Sequence, residues 1–188
     1  MGRWEPNARE RLAKAALELY GERGYEQTTV AEIAKRAGLT ERTFFRHYAD
    51  KREVLFDGAS ALQELFVNAV ADAPEAKAPI DAIAAGLEAV SAVFVGRRGY
   101  SRQRHAVVVA NAVLQERELI KLASLSAALA DALRRRGVPE PAASLTAEAG
   151  VAVFKIGFER WVGTAEERTM AQLTRESLAE LKAVTAGG

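Results

Sequence analysis

Residues 28–53, TTVAEIAKRAGLTERTFFRHYADKRE, are the stretch on which the reading of the whole chain turns. Thr29 followed by Glu32 has the spacing of a capping box, in which the threonine oxygen accepts a first-turn N–H and the glutamate returns a bond to the threonine's own N–H. Val30, Ile33, Ala34 and Ala37 then share one face of a helix predicted over Val30–Ala37, with Gly38 as its stop. Thr40 caps a second short helix that ends near His47 or Tyr48. Phe44 and Tyr48, four residues apart, share a face suited to packing on neighbouring helices. Arg42, Thr43, Arg46 and His47 remain on a surface that two aromatic residues cannot bury. Two short helices around a Gly-Leu-Thr turn, the second one cationic, form the pattern of a helix-turn-helix, whose second helix lies in the major groove of duplex DNA.

Outward from this stretch, helix signals recur and strand signals do not. A capping residue stands three positions before Glu at Asn7/Glu10, Thr29/Glu32, Asp50/Glu53 and Thr164/Glu167. The first helix is predicted over Ala8–Arg23, with Leu12, Ala16, Leu19 and Tyr20 inward and Gly24 as its stop. A long fourth helix starts after Asp50 and carries Val54, Leu55, Ala59, Leu62, Phe66 and Val70. After the ADAPEAKAP loop, a fifth helix is marked by Ile80, Ile83, Leu87, Val90 and Phe94. Later helices are expected at about 102–113, 116–136, 142–162 and 165–184. The fold class is therefore all-α, with about nine helices. Residues 1–56 form a helix-turn-helix head and residues 57–188 a larger helical body.

Composition narrows the function. The formal net charge is only +1, and residues 1–56 hold eleven Lys/Arg against nine Asp/Glu, so any DNA-facing charge must be local. Arg42, Arg46, Lys51 and Arg52 form the obvious cluster. With no cysteine, disulfides and thiolate chemistry are excluded. No metal site or cofactor is expected, since His47 has no second ligand at helical spacing. An enzyme is disfavoured: HExxH, GxSxG and phosphate-loop motifs are all missing, and no histidine supports Glu148 or Glu159 at metal-ligand spacing. No run approaches the 18 or so apolar residues that span a bilayer, and no apolar targeting segment opens the chain, so a cytoplasmic location without membrane attachment is expected.

Within the head, the free N–H groups at Thr40 attract a phosphate. Arg42 and Thr43 lie in the first turn, the part of a recognition helix that reaches base edges. Arginine can donate twice to guanine, and a threonine methyl can touch thymine. Lys51 is placed to reach a backbone phosphate.

On residues 8–56, and most closely on AALELYGERGYEQTTVAEIAKRAGLTERTFFRHYADKREVL, the chain resembles the N-terminal domain of the TetR/AcrR family of bacterial transcriptional regulators. The resemblance implies that Thr29 and Lys51 contact phosphates, and that Thr40, Arg42, Thr43, Arg46 and His47 lie on the recognition helix. Phe45 falls where the family usually has tyrosine, and Tyr48 where phenylalanine is common. A phenyl ring cannot donate to a phosphate, so Phe45 is expected to make apolar contact with sugars or thymine methyl groups.

The resemblance also implies a homodimer, a palindromic double-stranded operator and a small-molecule effector that releases a repressor. A regulator or activator without an effector remains the alternative. In the body, Val151, Phe154 and Phe158 on the eighth helix and Met170, Leu173 and Leu181 on the ninth form stripes suited to pairing with a second copy. The same spacing equally suits internal core. Candidate effector-lining residues are Phe66, Phe94, Tyr100, His105, Phe154, Phe158 and Trp161. The cluster Arg97, Arg98, Arg102 and Arg104 would suit an acidic ligand, or simply an exposed loop.

Overall fold

The computed structural model describes residues 7–186 and, among them, nine α-helices and no strand. They are α1 Ala8–Arg23, α2 Val30–Arg36, α3 Glu41–His47, α4 Ala59–Ala71, α5 Pro79–Ala92, α6 Arg98–Val109, α7 Ala112–Arg135, α8 Ala142–Gly163 and α9 Met170–Thr185. The chain divides into two compact units. One contains the chain up to Gly58 together with Gln103–Glu118, and the other contains Ala59–Arg102 and the chain from Leu119 onward.

The first three helices form where the capping and apolar spacing predict. Thr29 and Glu32 complete a full capping box at the start of α2. At its end, Gly38 takes φ +67°, and the N–H of Leu39 reaches back to Ala34 O at 2.8 Å. This left-handed closure satisfies carbonyls that the last turn leaves open. Leu12, Leu19, Ile33, Phe44 and Val54 are fully buried and make the core of the first unit.

The boundaries of α4, α6 and α9 differ from the sequence expectation, and α7 starts at Ala112 where about 116 is expected. Asp50 accepts from the N–H groups of Arg52 and Glu53, but the element that follows is a 3-10 turn over Glu53–Phe56 with Arg52 at its N-cap. Gly58 at φ +109° then breaks the chain direction, so α4 begins only at Ala59. By length and composition Glu53–Ala71 is apolar enough to cross a membrane. This break, and the burial of Val54, Leu55 and Phe56, mark it instead as a turn followed by a helix. The α6 helix starts at Arg98 and ends at Val109, and the Asn111 side-chain amide just beyond it donates to Val107 O at 2.6 Å. The α9 helix starts at Met170 because Thr169 and Gln172 form the capping box there, while the Thr164 hydroxyl accepts from the N–H of Glu166.

In the second unit, small residues let the helices close tightly. A Cβ at Gly86 of α5 would lie 2.3 Å from the Phe66 ring of α4. One at Gly150 of α8 would lie 2.7 Å from Ile83, and one at Gly157 of the same helix 2.5 Å from Thr174 of α9. Phe66, Ile83, Leu129, Leu133, Ala147, Phe154 and Leu173 belong to the resulting core.

Candidate nucleic-acid interface

Helix α3 is seven residues long, and the head's core fixes which of its faces stays exposed. Thr40 caps it by accepting from the Thr43 N–H at 3.2 Å, and the two hydroxyls lie 3.0 Å apart. Phe44 is fully buried, and its ring meets Tyr48 at 5.5 Å. Tyr48 is buried too and reaches Arg9 O at 3.4 Å. With Phe44 and Tyr48 turned inward, Arg42, Phe45 and Arg46 lie exposed at three- and four-residue spacing. Glu41, to which the sequence pattern assigns no role, is exposed in the first turn. His47 is half-buried, and its Nε2 is enclosed with no partner among the described residues.

The four cations singled out in the sequence separate into two kinds. The Lys51 ammonium donates to Tyr25 O at 2.8 Å, Thr28 O at 3.0 Å and Glu26 O at 3.4 Å, and it sits 4.2 Å from the centre of the Tyr25 ring. Its own carbonyl accepts from the Tyr20 hydroxyl at 2.7 Å. Lys51 therefore fastens the turn that delivers the chain into α2, and its donors are engaged inside the head. Arg52 is held by the Asp50 carboxylate, with Nη2 to Oδ2 at 2.6 Å. That pairing holds Asp50 below the usual carboxylate range. Burial drives the Tyr20 hydroxyl strongly upward and pushes Tyr25 up to about 12, so both stay protonated donors near neutrality. Among the described residues, Arg42 and Arg46 have no such acceptor and present their guanidinium groups to solvent. Thr29, half of the capping box, has its hydroxyl 3.0 Å from Glu32 Oε2.

Sequence reasoning missed the segment that completes this unit. Arg104 donates through Nε to Leu55 O at 2.7 Å, pairs with Glu118 at 3.0 Å and lies 4.9 Å above the Phe56 ring. Arg117 pairs with Glu53 at 2.5 Å. Together they clasp the 53–56 turn from residues 49 and 64 positions away, a separation at which no local pattern carries a signal. Closer in sequence, Arg11 donates to Ala37 O at the end of α2.

In the second unit, five of the seven candidate effector-lining residues come together. Phe94 meets Phe154, Phe158 and Trp161 at ring distances of 6.3, 5.7 and 5.8 Å, and Phe66 meets Phe154 at 6.4 Å. Tyr100 is exposed, and His105 belongs to the first unit. The arginines are largely committed: Arg98 donates to Thr164 O and Glu166 O, Arg102 to Val162 O and Thr164 O, and Arg104 to Leu55 O. Arg98 and Arg102 close the end of α8 and the turn after it, where carbonyls lack helical partners. The stripes expected to meet a second copy turn inward instead. Val151, Phe154, Met170 and Leu173 are buried in the chain's own core, and Phe158 and Leu181 pack against it. Core and interface stripes share one helical spacing, so the pattern alone could not separate them.

Residues 12–57 match the family model of the bacterial regulatory proteins of the tetR family. The HTH-type transcriptional regulator TcmR of Streptomyces glaucescens is 42% identical over 82 residues, which is 44% of this chain but only 36% of that regulator's length. Among solved structures, one from Syntrophomonas wolfei assigned to the TetR family of transcriptional regulators superposes with a TM-score of 0.64 at 16% identity, covering 96% of this chain and 95% of that one. The transcriptional regulator FadR of Bacillus subtilis, solved with stearoyl-CoA, gives 0.62 at 18% identity over 92% and 96% of the two chains. The helix-turn-helix segment thus matches the bacterial regulatory proteins of the tetR family in sequence, and the chain as a whole is similar in fold to solved structures of that family.

Proposed function

We propose that the chain is a repressor that binds a palindromic operator as a homodimer in the cytoplasm and is released by a small-molecule effector. The observation that carries this reading is the exposed face of α3, where Arg42 and Arg46 have no acceptor among the described residues, on a helix whose other face is locked into the core. In the groove, Arg42 and Thr43 read base edges, and Arg46 reaches a phosphate on the groove wall. Thr29, Thr40 and His47 lie near enough to the helix ends to assist. Lys51 supports the surface from behind.

The dimer face shifts to side chains that the chain's own core leaves uncovered. On α8, Leu145 is 67% exposed and Ile156 50%, with Ala149 and Ala152 between them at helical spacing. That stripe supports pairing with the same stripe of a second copy. The aromatic cluster around Phe94 supports an apolar effector, since such sites are mainly hydrophobic. The stearoyl-CoA held by the Bacillus subtilis regulator is one example that this fold accommodates. A ligand can release DNA only by binding one head arrangement better than the other.

Selection from a random duplex pool with the full chain tests the reading. The expected result is one palindromic sequence whose half-sites lie about one helical turn apart. No enrichment over scrambled competitor at about 0.15 M salt overturns it. The ring contacts of 5.7–6.4 Å that fill the aromatic cluster favour a second reading, a regulator without an effector. A metabolite screen on the bound duplex separates the two, because only the first predicts a compound that releases it.

A further inference from the structure

Phe45 is the large apolar side chain of α3 that the head's core does not take: it is 55% exposed, whereas its neighbour Phe44 is fully buried. A single apolar side chain on a surface is ordinary. Two observations set this one apart. Its ring stands edge-on against Phe44, with centroids 5.5 Å apart and planes at 81°. Phe44 is in turn packed on Tyr48 at 5.5 Å, so the exposed phenyl rests on a buried aromatic base. It also shares the exposed face of the helix with Arg42, three positions before it, and Arg46, directly after it, two cations without an acceptor among the described residues.

A braced apolar group between two free cations complements a polyanion that carries an apolar spot within reach of its phosphates. On the edges of the base pairs in the major groove, that spot is the 5-methyl group of thymine, whereas the guanine, adenine and cytosine edges there present only donors and acceptors. We infer that Phe45 is a specificity-determining residue that reads a thymine methyl in each half-site. The inference rests on the DNA-binding role of α3 proposed above. It adds that one thymine position is selected by apolar contact rather than by a hydrogen bond.

The test replaces each thymine of the selected duplex, one at a time, with deoxyuridine, which deletes the methyl and leaves base pairing intact. Titrations with the full chain are run at low salt, where weakened variants remain measurable. At one thymine per half-site, the wild-type chain should bind about fourfold more weakly for each methyl removed. Phe45→Ala should keep its thermal midpoint, bind the parent duplex more weakly and lose the sensitivity to deoxyuridine at that position. Wild-type binding that ignores every deoxyuridine, as a contact to sugars alone would give, overturns the inference. So does an equal deoxyuridine penalty in Phe45→Ala. In either case duplex selection still stands and only the role of Phe45 falls, whereas failure to select any duplex brings down the DNA-binding reading itself.

Discussion

The head and the body differ in how their helices are brought together. In the head, charged and hydroxyl side chains capture backbone carbonyls across turns: Lys51 on residues 25, 26 and 28, Arg11 on Ala37, Arg104 on Leu55 and Thr28 on Gly24. In the body, arginines also hold turn carbonyls, Arg98 and Arg102 after α8 and Arg136 after α4, but the helices themselves close through glycine-permitted contacts and a cluster of aromatic rings. The contrast bears on function. Where most cations are engaged internally, the ones left over stand out, and in α3 they are Arg42 and Arg46. The body's core offers no comparable remainder, because rings that pack a core and rings that line a ligand site present the same chemistry.

The largest test of this contrast is in the body. Phe66→Ala or Phe154→Ala should cost about 3–5 kcal/mol, as a deleted core phenyl does. Hydrogen exchange should then accelerate in α5 and α8 well before it does in α1. Uniform acceleration through both units would mean that they do not differ as described. Next comes the fastening of the head. Lys51→Met leaves the carbonyls of Tyr25 and Thr28 without their donor and should cost roughly 1–3 kcal/mol, with faster exchange over residues 24–30. A stability unchanged in urea titration would show that the ammonium is not engaged in solution. A smaller loss, about 1 kcal/mol, is expected for Arg117→Gln, which opens a partly exposed pair with Glu53.

The smallest effect is acid sensitivity in the head. Hydrogen bonds from the Thr29 backbone and hydroxyl hold Glu32 below its ordinary value, and those from Arg52 do the same for Asp50. A carboxylate depressed on folding stabilises fully above its unfolded pKa of about 4 and loses that contribution as pH falls through the lower folded value. The head should therefore weaken below about pH 4, and Glu32→Gln should flatten that decline in a thermal-melt series. An identical pH profile in the variant would count against the capping box.

How far the sequence can be read depends on the range of the interactions. Helices α1 to α3 are legible because caps, glycine stops and apolar spacing all act within a few residues. The 53–56 turn is not, since EVLF places apolar groups inward equally well in a 3-10 turn or an α-helix, and only Gly58 marks the break. The start of α9 escapes a search for glutamate because Gln172 completes its capping box. The hold on Lys51 is not legible locally, because the carbonyls that accept from it lie 23–26 residues away. The α8 and α9 stripes suggest a partner because burial in the chain's own core leaves the same periodicity.

The central claim is that the cations of α3 without an acceptor among the described residues, and not those already engaged, meet the DNA, Arg46 at its backbone. It is tested most directly by the salt dependence of binding to the selected duplex for wild type, Arg46→Ala and Lys51→Met. With one phosphate-neutralising charge removed from each protomer of a dimer, the slope of log K against log salt should shrink by about 1.8 in Arg46→Ala, while Lys51→Met binds more weakly at an unchanged slope. A slope that is retained in Arg46→Ala and reduced in Lys51→Met would contradict the account.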